Sequence, residues 1–182
     1  MNLPSHYEKC LGPIVRGWSD KNNDIPLQIV CFDNCPERNV FTLATLGLSL
    51  FSLRAREGKR IHQELLMSAN VGEDQEALAG LILSLAESVV ATEKPLLRGE
   101  VIGPGRLISP ASTMDSVFVT NPSPLPSELL EKTDKKLVFA YLIPVYSSER
   151  SIIKKNGWDL FEYILESRDP DIWNMRRPTL VL

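Results

Sequence analysis

LVFAYLIPVYSSERSIIKKNGWDLFEYILE, residues 137–166, decides the fold. Its first ten residues are almost wholly apolar, and their aromatic and β-branched content favours a strand. Pro144 is expected to break that strand, because a proline brings no N–H to a ladder. Polar Ser-Ser-Glu-Arg follows, and two short helices are expected over residues 147–155 and 158–167. In the second, Trp158, Phe161, Ile164 and Leu165 form an apolar face.

Upstream, Ser5 can cap a short helix that runs to Gly12, with Pro13 as a stop signal. The polar stretch GWSDKNNDIP (17–26) reads as turn-rich, and LQIVCFD (27–33) as a strand ended by Pro36. NVFTLATLGLS (39–49) alternates Val40, Thr42 and Ala44 against Phe41, Leu43 and Thr45, so it pairs with the preceding strand as a hairpin. RAREGKR (54–60) places Gly58 among charges and suits a tight turn with a solvated tip rather than a phosphate site. IHQELLMSA (61–69) then returns as a strand. Its two faces, Ile61, Gln63, Leu65 and Met67 against His62, Glu64, Leu66 and Ser68, are both mixed, which suits a central place in the sheet.

The longest helix is expected over residues 73–93. Ala77, Leu78, Leu81, Ile82, Leu85 and Val89 recur at helical spacing, and Glu73, Asp74 and Glu76 favour the positive end of the helix dipole. Its apolar stripe should lie across one face of the sheet. Residues 95–126 are rich in Pro and Gly and read as looped chain laid on the core, with one short strand in SVFVT (116–120). Arg176, Arg177 and Pro178 mark an extended tail.

A chain of 182 residues with 43% hydrophobic residues can bury a core as one domain, since at this size roughly 70% of the unfolded surface is removed from water. Twenty basic residues against 23 acidic ones leave a net charge of −3, without the cationic surplus that a phosphate backbone demands, so direct nucleic-acid binding is not expected. The apolar runs are too short and interrupted for a membrane span. Three cysteines, Cys10, Cys31 and Cys35, fit reduced thiols, and MNLPSHYEKCLG has no basic and apolar leader pattern; the expectation is a cytoplasmic protein.

No motif supplies a catalytic centre. His62-Gln63-Glu64 has the spacing of a zinc deaminase's His ligand and Glu shuttle, but that cage needs a later Cys pair, and no cysteine follows Cys35. Cys31, Cys35, His6 and His62 lack the spacing of a zinc knuckle or ribbon. Gly47-Leu48-Ser49-Leu50-Phe51 starts like a nucleophile elbow and lacks its last glycine. GEVIGPG (99–105) is neither a Walker loop nor a dinucleotide fingerprint, and Pro104 removes an amide that a phosphate would need. No catalytic residue, metal or cofactor is assigned.

Four segments together resemble the Suppressor of Fused domain: VFTLATLGLS with its Gly-Leu-Ser, QELLMSA with its Glu-Leu, GEVIGPG, and FAYLIPVYSSE followed by NGWDLFEYILE. They stand in the family's order between residues 40 and 166. The resemblance implies an α/β (α+β) single domain, a mixed, largely antiparallel sheet flanked by helices, which works by protein–protein contact without a cofactor. The larger animal relative, which holds a Hedgehog-pathway transcription factor, has a second lobe that 182 residues do not accommodate. Compact bacterial relatives are often immunity proteins encoded beside polymorphic toxins, so the leading expectation is a cytosolic antitoxin that binds a cognate toxin. The alternative is a regulatory scaffold of the same fold that binds a cellular protein. Glu64 and Glu149 match the family's patterns and are expected to hold the fold. Trp18, Trp173, Arg176 and Arg177 lie in segments that read as loop or tail, where large aromatic and Arg side chains can anchor a partner.

Overall fold

A computed structural model of the chain describes residues 2–19, 25–105, 107–108, 112–131 and 136–181. Helix α1 (Leu3–Leu11) begins two residues before Ser5, because Asn2 is its cap: the Asn2 Oδ1 accepts from the Ser5 amide at 3.3 Å. Strand β1 (Ile14–Ser19) follows, so Gly17, Trp18 and Ser19 are ladder residues and not part of a turn. The polar composition misled because β1 is an edge strand with mostly exposed side chains, which leaves no core-facing alternation to read. The rest of that expected turn, residues 20–24, lies outside the described residues.

β2 (Gln28–Asp33) and β3 (Val40–Leu46) form the expected antiparallel hairpin. β3 ends at Gly47, whose φ of +111° and approach to the Pro26 carbonyl, 2.1 Å from where a Cβ would stand, admit only glycine. A 3-10 turn over Leu48–Leu50 and the short β4 (Leu53–Arg54) lead through the charged tip to β5 (Arg60–Asn70). β5 is central, antiparallel to β3 on one side and parallel to β8 (Leu137–Val145) on the other.

Helix α2 (Gln75–Thr92) is capped by Asp74, whose Oδ1 accepts from the Ala77 amide at 3.0 Å. Leu78, Ala79, Ile82, Ala86 and Val89 are its buried face. Ala77, Leu81 and Leu85 from the expected stripe are half-buried, so the buried line is centred on Leu78, Ile82 and Val89 and takes in Ala79 and Ala86. α2 is the one described helix long and apolar enough to cross a membrane, and here those buried side chains lie in the core against the sheet.

The Pro- and Gly-rich region contains β6 (Val101–Ile102), paired antiparallel to β7 (Ser116–Thr120), and a turn of helix α3 (Glu128–Glu131). β8 does not break at Pro144. It continues to Val145, with Pro144 opposite Val117 of β7. Its pairing to β5 ends at Tyr141, so one flank of the strand has no ladder at Pro144 and the missing amide costs little there. Helices α4 (Ser147–Asn156) and α5 (Trp158–Arg168) close the expected order.

The sheet runs β1-β2-β3-β5-β8-β7-β6, with β4 beside β5; it is mixed, largely antiparallel and flanked by helices. Strand alternation sends Ile29, Phe41, Leu65, Met67 and Leu142 into a core under α2. Phe32, Leu66, Phe118, Phe139 and Ile143 enter a second core with Tyr7 of α1, Leu129 of α3, Ile153 of α4 and Phe161 of α5.

Candidate functional site

Three of the signature segments, VFTLATLGLS, QELLMSA and FAYLIPVYSSE, supply two buried carboxylate centres. Glu64, on β5, is 0% exposed. It accepts from the Thr45 hydroxyl, from the Ser49 amide at 3.0 Å and from the Gly47 amide at 3.3 Å. Thr45 Oγ1 in turn accepts from the Leu65 amide at 2.8 Å. The Glu of QELLMSA therefore clamps the Gly-Leu-Ser turn that ends β3. Burial pushes the Glu64 carboxyl above its ordinary value, against the opposing pull of the Ser49, Thr45 and Gly47 hydrogen bonds. Tyr7 is raised well above the usual phenol range, by burial first and by Glu64 second.

Glu149 is also 0% exposed, at the third position of α4. Arg177 reaches it with two parallel bonds, Nη1 to Oε1 at 2.6 Å and Nη2 to Oε2 at 2.8 Å. The same carboxylate accepts from the Tyr146 amide at 3.0 Å and the Leu180 amide at 2.9 Å. Arg177 also donates to the Pro144 carbonyl, and the Tyr146 hydroxyl donates to the Arg177 carbonyl. Together these bonds fasten the C-terminal tail to the end of β8.

Arg177 is thus not an exposed tail residue. At 2% exposure its guanidinium faces its own protein, and the expected role as a partner anchor is corrected to a framework role. Arg176, its neighbour, points outward and stands 3.5 Å from Glu73. Trp18 is half-buried on β1 against the α2-side core, with the Arg16 guanidinium 5.8 Å from its ring. His62 Nδ1 is bonded to the Ser49 carbonyl at 2.7 Å, and Ser49 is also the residue whose amide donates to Glu64, so both side chains hold the same turn. Cys10, Cys31 and Cys35 form no disulfide; burial comes first in raising the thiols of Cys31, to about 11, and Cys35.

Trp173 is held differently. Its amide donates to Asp171 Oδ1 at 3.2 Å, its carbonyl accepts from the Asn70 amide at 3.0 Å, and its indole N–H donates to the Tyr141 hydroxyl at 3.1 Å. Asn70 Nδ2 donates to Asp171 Oδ2 at 2.7 Å, stitching the tail to the end of β5. Burial comes first in raising the Tyr141 phenol to about 12.

The half-buried Trp173 ring borders a cleft of ≈ 710 Å³ between the end of β5, the loop after β7 and the C-terminal half of α5. Ile143, Leu165 and Ile172 supply apolar wall. At one side Arg98 forks onto Glu162, at 3.1 Å and 2.5 Å, and lies 4.8 Å from the Trp158 ring centre. Glu162 also accepts from the Thr120 hydroxyl at 2.6 Å. Burial pushes Glu162 up, and the Arg98 and Thr120 bonds outweigh it, holding the carboxyl below its ordinary value. Of the four partner-binding residues expected from sequence, only Trp173 lines this cleft. Arg98 and Glu162 were missed because they are 64 residues apart and carry no local signal.

The family model described as suppressor of fused protein (SUFU) matches residues 23–178. Immunity protein YqcF of Bacillus subtilis strain 168 is 22% identical over 174 residues, covering 93% of this chain and 89% of its own. The crystal structure of a SUFU homologue from Neisseria gonorrhoeae superposes with a TM-score of 0.79 at 17% identity, over 98% of this chain and 94% of that one. A chain of the Sufu–Fu complex gives a TM-score of 0.66 at 14% identity, over 98% and 88% respectively.

Proposed function

The chain belongs to the suppressor of fused family, and on that premise we propose that it is an immunity protein, which neutralises a cognate toxin by forming a complex with it in the cytoplasm. The observation that carries this reading is the near full-length similarity to immunity protein YqcF. The site chemistry is consistent with it. The polar groups that could have served catalysis, Glu64, His62, Glu149 and Arg177, are engaged in bonds that brace the backbone, whereas Trp173 is a fixed aromatic at the wall of a cleft. A pre-positioned aromatic loses little freedom on binding, and that is the property of an interface anchor. Trp18 and Arg176 remain anchor candidates at other points of the surface.

The test is co-expression with the toxin domain encoded beside the gene. Growth should be restored and the two proteins should co-purify as a stable complex; a toxin that remains fully active would overturn the reading. The likeness to a chain of the Sufu–Fu complex favours a second reading, a regulatory scaffold that binds a cellular protein through the same fold. An isolated gene with no toxin beside it would select that alternative.

A further inference from the structure

We propose that the Trp173 cleft is the docking surface for the partner, and that it receives an Arg- or Lys-bearing apolar segment of that protein. The inference rests on the protein-binding reading above and names the chemistry of the partner's contact. Its first support is shape and composition. The cleft has an apolar wall of Ile143, Leu165 and Ile172 beside the indole of Trp173, with ionised groups around it. Long basic side chains suit such a surface because their methylene stems cover apolar area while the charged head stays at the rim.

The second support is charge complementarity. Among the described residues, Glu37, Glu162, Glu166, Asp169 and Asp171 line the cleft against the one cation Arg98, so their local imbalance exceeds the net −3 of the whole chain. Two of these carboxylates are already used, Glu162 by Arg98 and Asp171 by Asn70. Among the described residues no cation lies within ion-pair distance of Glu37, Glu166 or Asp169. Nor do the described residues include a group of three or more His, Cys, Asp or Glu that could hold a metal ion, so dispersed carboxylates here fit an extended organic cation better than a bare ion. The cleft wall also carries an internal instance of the same recognition: Arg98 lies over Trp158 and forks onto Glu162. Guanidinium on an aromatic face beside a carboxylate is a favourable combination wherever water is partly excluded.

Binding of the inactivated toxin domain encoded beside the gene would be measured for the wild type, for Glu37→Lys/Glu166→Lys, and for the control Glu8→Lys/Glu131→Lys outside the cleft, with the Tm of each recorded. The cleft reversal should weaken binding at least about 30-fold, the loss expected of an interface hot spot, while the control stays within about twofold and all three melt alike. Equal affinities for wild type and cleft reversal would overturn the cleft while leaving the immunity reading standing. If the wild type itself binds no toxin, that reading fails, and the cleft is decided by nuclear magnetic resonance titration with an acetylated Leu-Arg-Arg-Leu amide peptide. Shifts of the Trp173 indole N–H and the Asn70 side-chain amide, lost when citrulline replaces both arginines, would support the cleft. No shift, or the same shift with citrulline, would overturn it.

Discussion

Glu64 and Glu149 are both fully buried signature carboxylates, yet they are neutralised in opposite ways. Glu64 has hydroxyl and amide donors and, among the described residues, no ion-pair partner, and it acts locally, tying the Gly47–Ser49 turn to the strand beside it. Glu149 has a bidentate guanidinium and acts at long range, drawing residues 177–180 onto the start of α4. A dipole-solvated acid can lose one donor and keep others, whereas an ion pair that loses either member leaves a buried charge exposed to low dielectric. The two centres should therefore fail differently.

The largest effect is expected at the ion pair. Arg177→Ala strands Glu149 and should cost about 3–5 kcal/mol in urea unfolding. Replacing both, as Glu149→Leu/Arg177→Met, should recover much of that loss, because an apolar pair of similar volume avoids the desolvation penalty. A double variant no more stable than the single one would mean that the Tyr146 and Leu180 amides, and not the pairing, carry the centre.

Glu64→Ala leaves two amides and a hydroxyl without their acceptor and should cost about 1–3 kcal/mol. Glu64 also leaves a pH signature. Its folded pKa is raised by burial, so between its unfolded and folded values the unfolded chain binds fewer protons than the native one. Stability on this account is fully present below the unfolded pKa and declines as pH rises through the folded one. Urea unfolding across that window should show a shallower decline for Glu64→Gln than for the wild type. An unchanged slope would assign the titration to another group; Glu162, held below its ordinary value, contributes the opposite trend, losing stability as pH falls.

The smallest effect belongs to Arg176, adjacent in sequence to Arg177 and opposite in situation. Its contact with Glu73 is exposed on the Arg side and 3.5 Å long, so Arg176→Ala should change stability by less than about 1 kcal/mol. A loss comparable to that of Arg177→Ala would show that the tail is braced along its length and not at one clamp.

Much of the architecture was legible because it rests on local pattern. The hairpin of β2 and β3, the central β5, the capped α2 and the α4–α5 pair each carry their own alternation, caps or spacing. The misses share one cause. β1, β6 and α3 are short or lie at the sheet's margin, where too few core-facing side chains leave a period to read. Arg176 and Arg177 are indistinguishable in sequence, since the acid that buries one of them lies 28 residues back on another element. The cleft was invisible for the same reason: Asn70, Arg98, Glu162 and Asp171 come from four parts of the chain.

By itself the sequence determined the fold class, the order of the main strands and helices and the family, because hydrophobic periodicity and the four signature segments are properties of contiguous residues. Only the tertiary structure decided which groups Glu64 and Glu149 brace, that Arg177 is core while Arg176 is surface, and that Trp173 stands at a carboxylate-rimmed cleft. Burial and charge pairing depend on distance in space, and chain spacing carries no record of which remote side chains the folded sheet and its helices bring together.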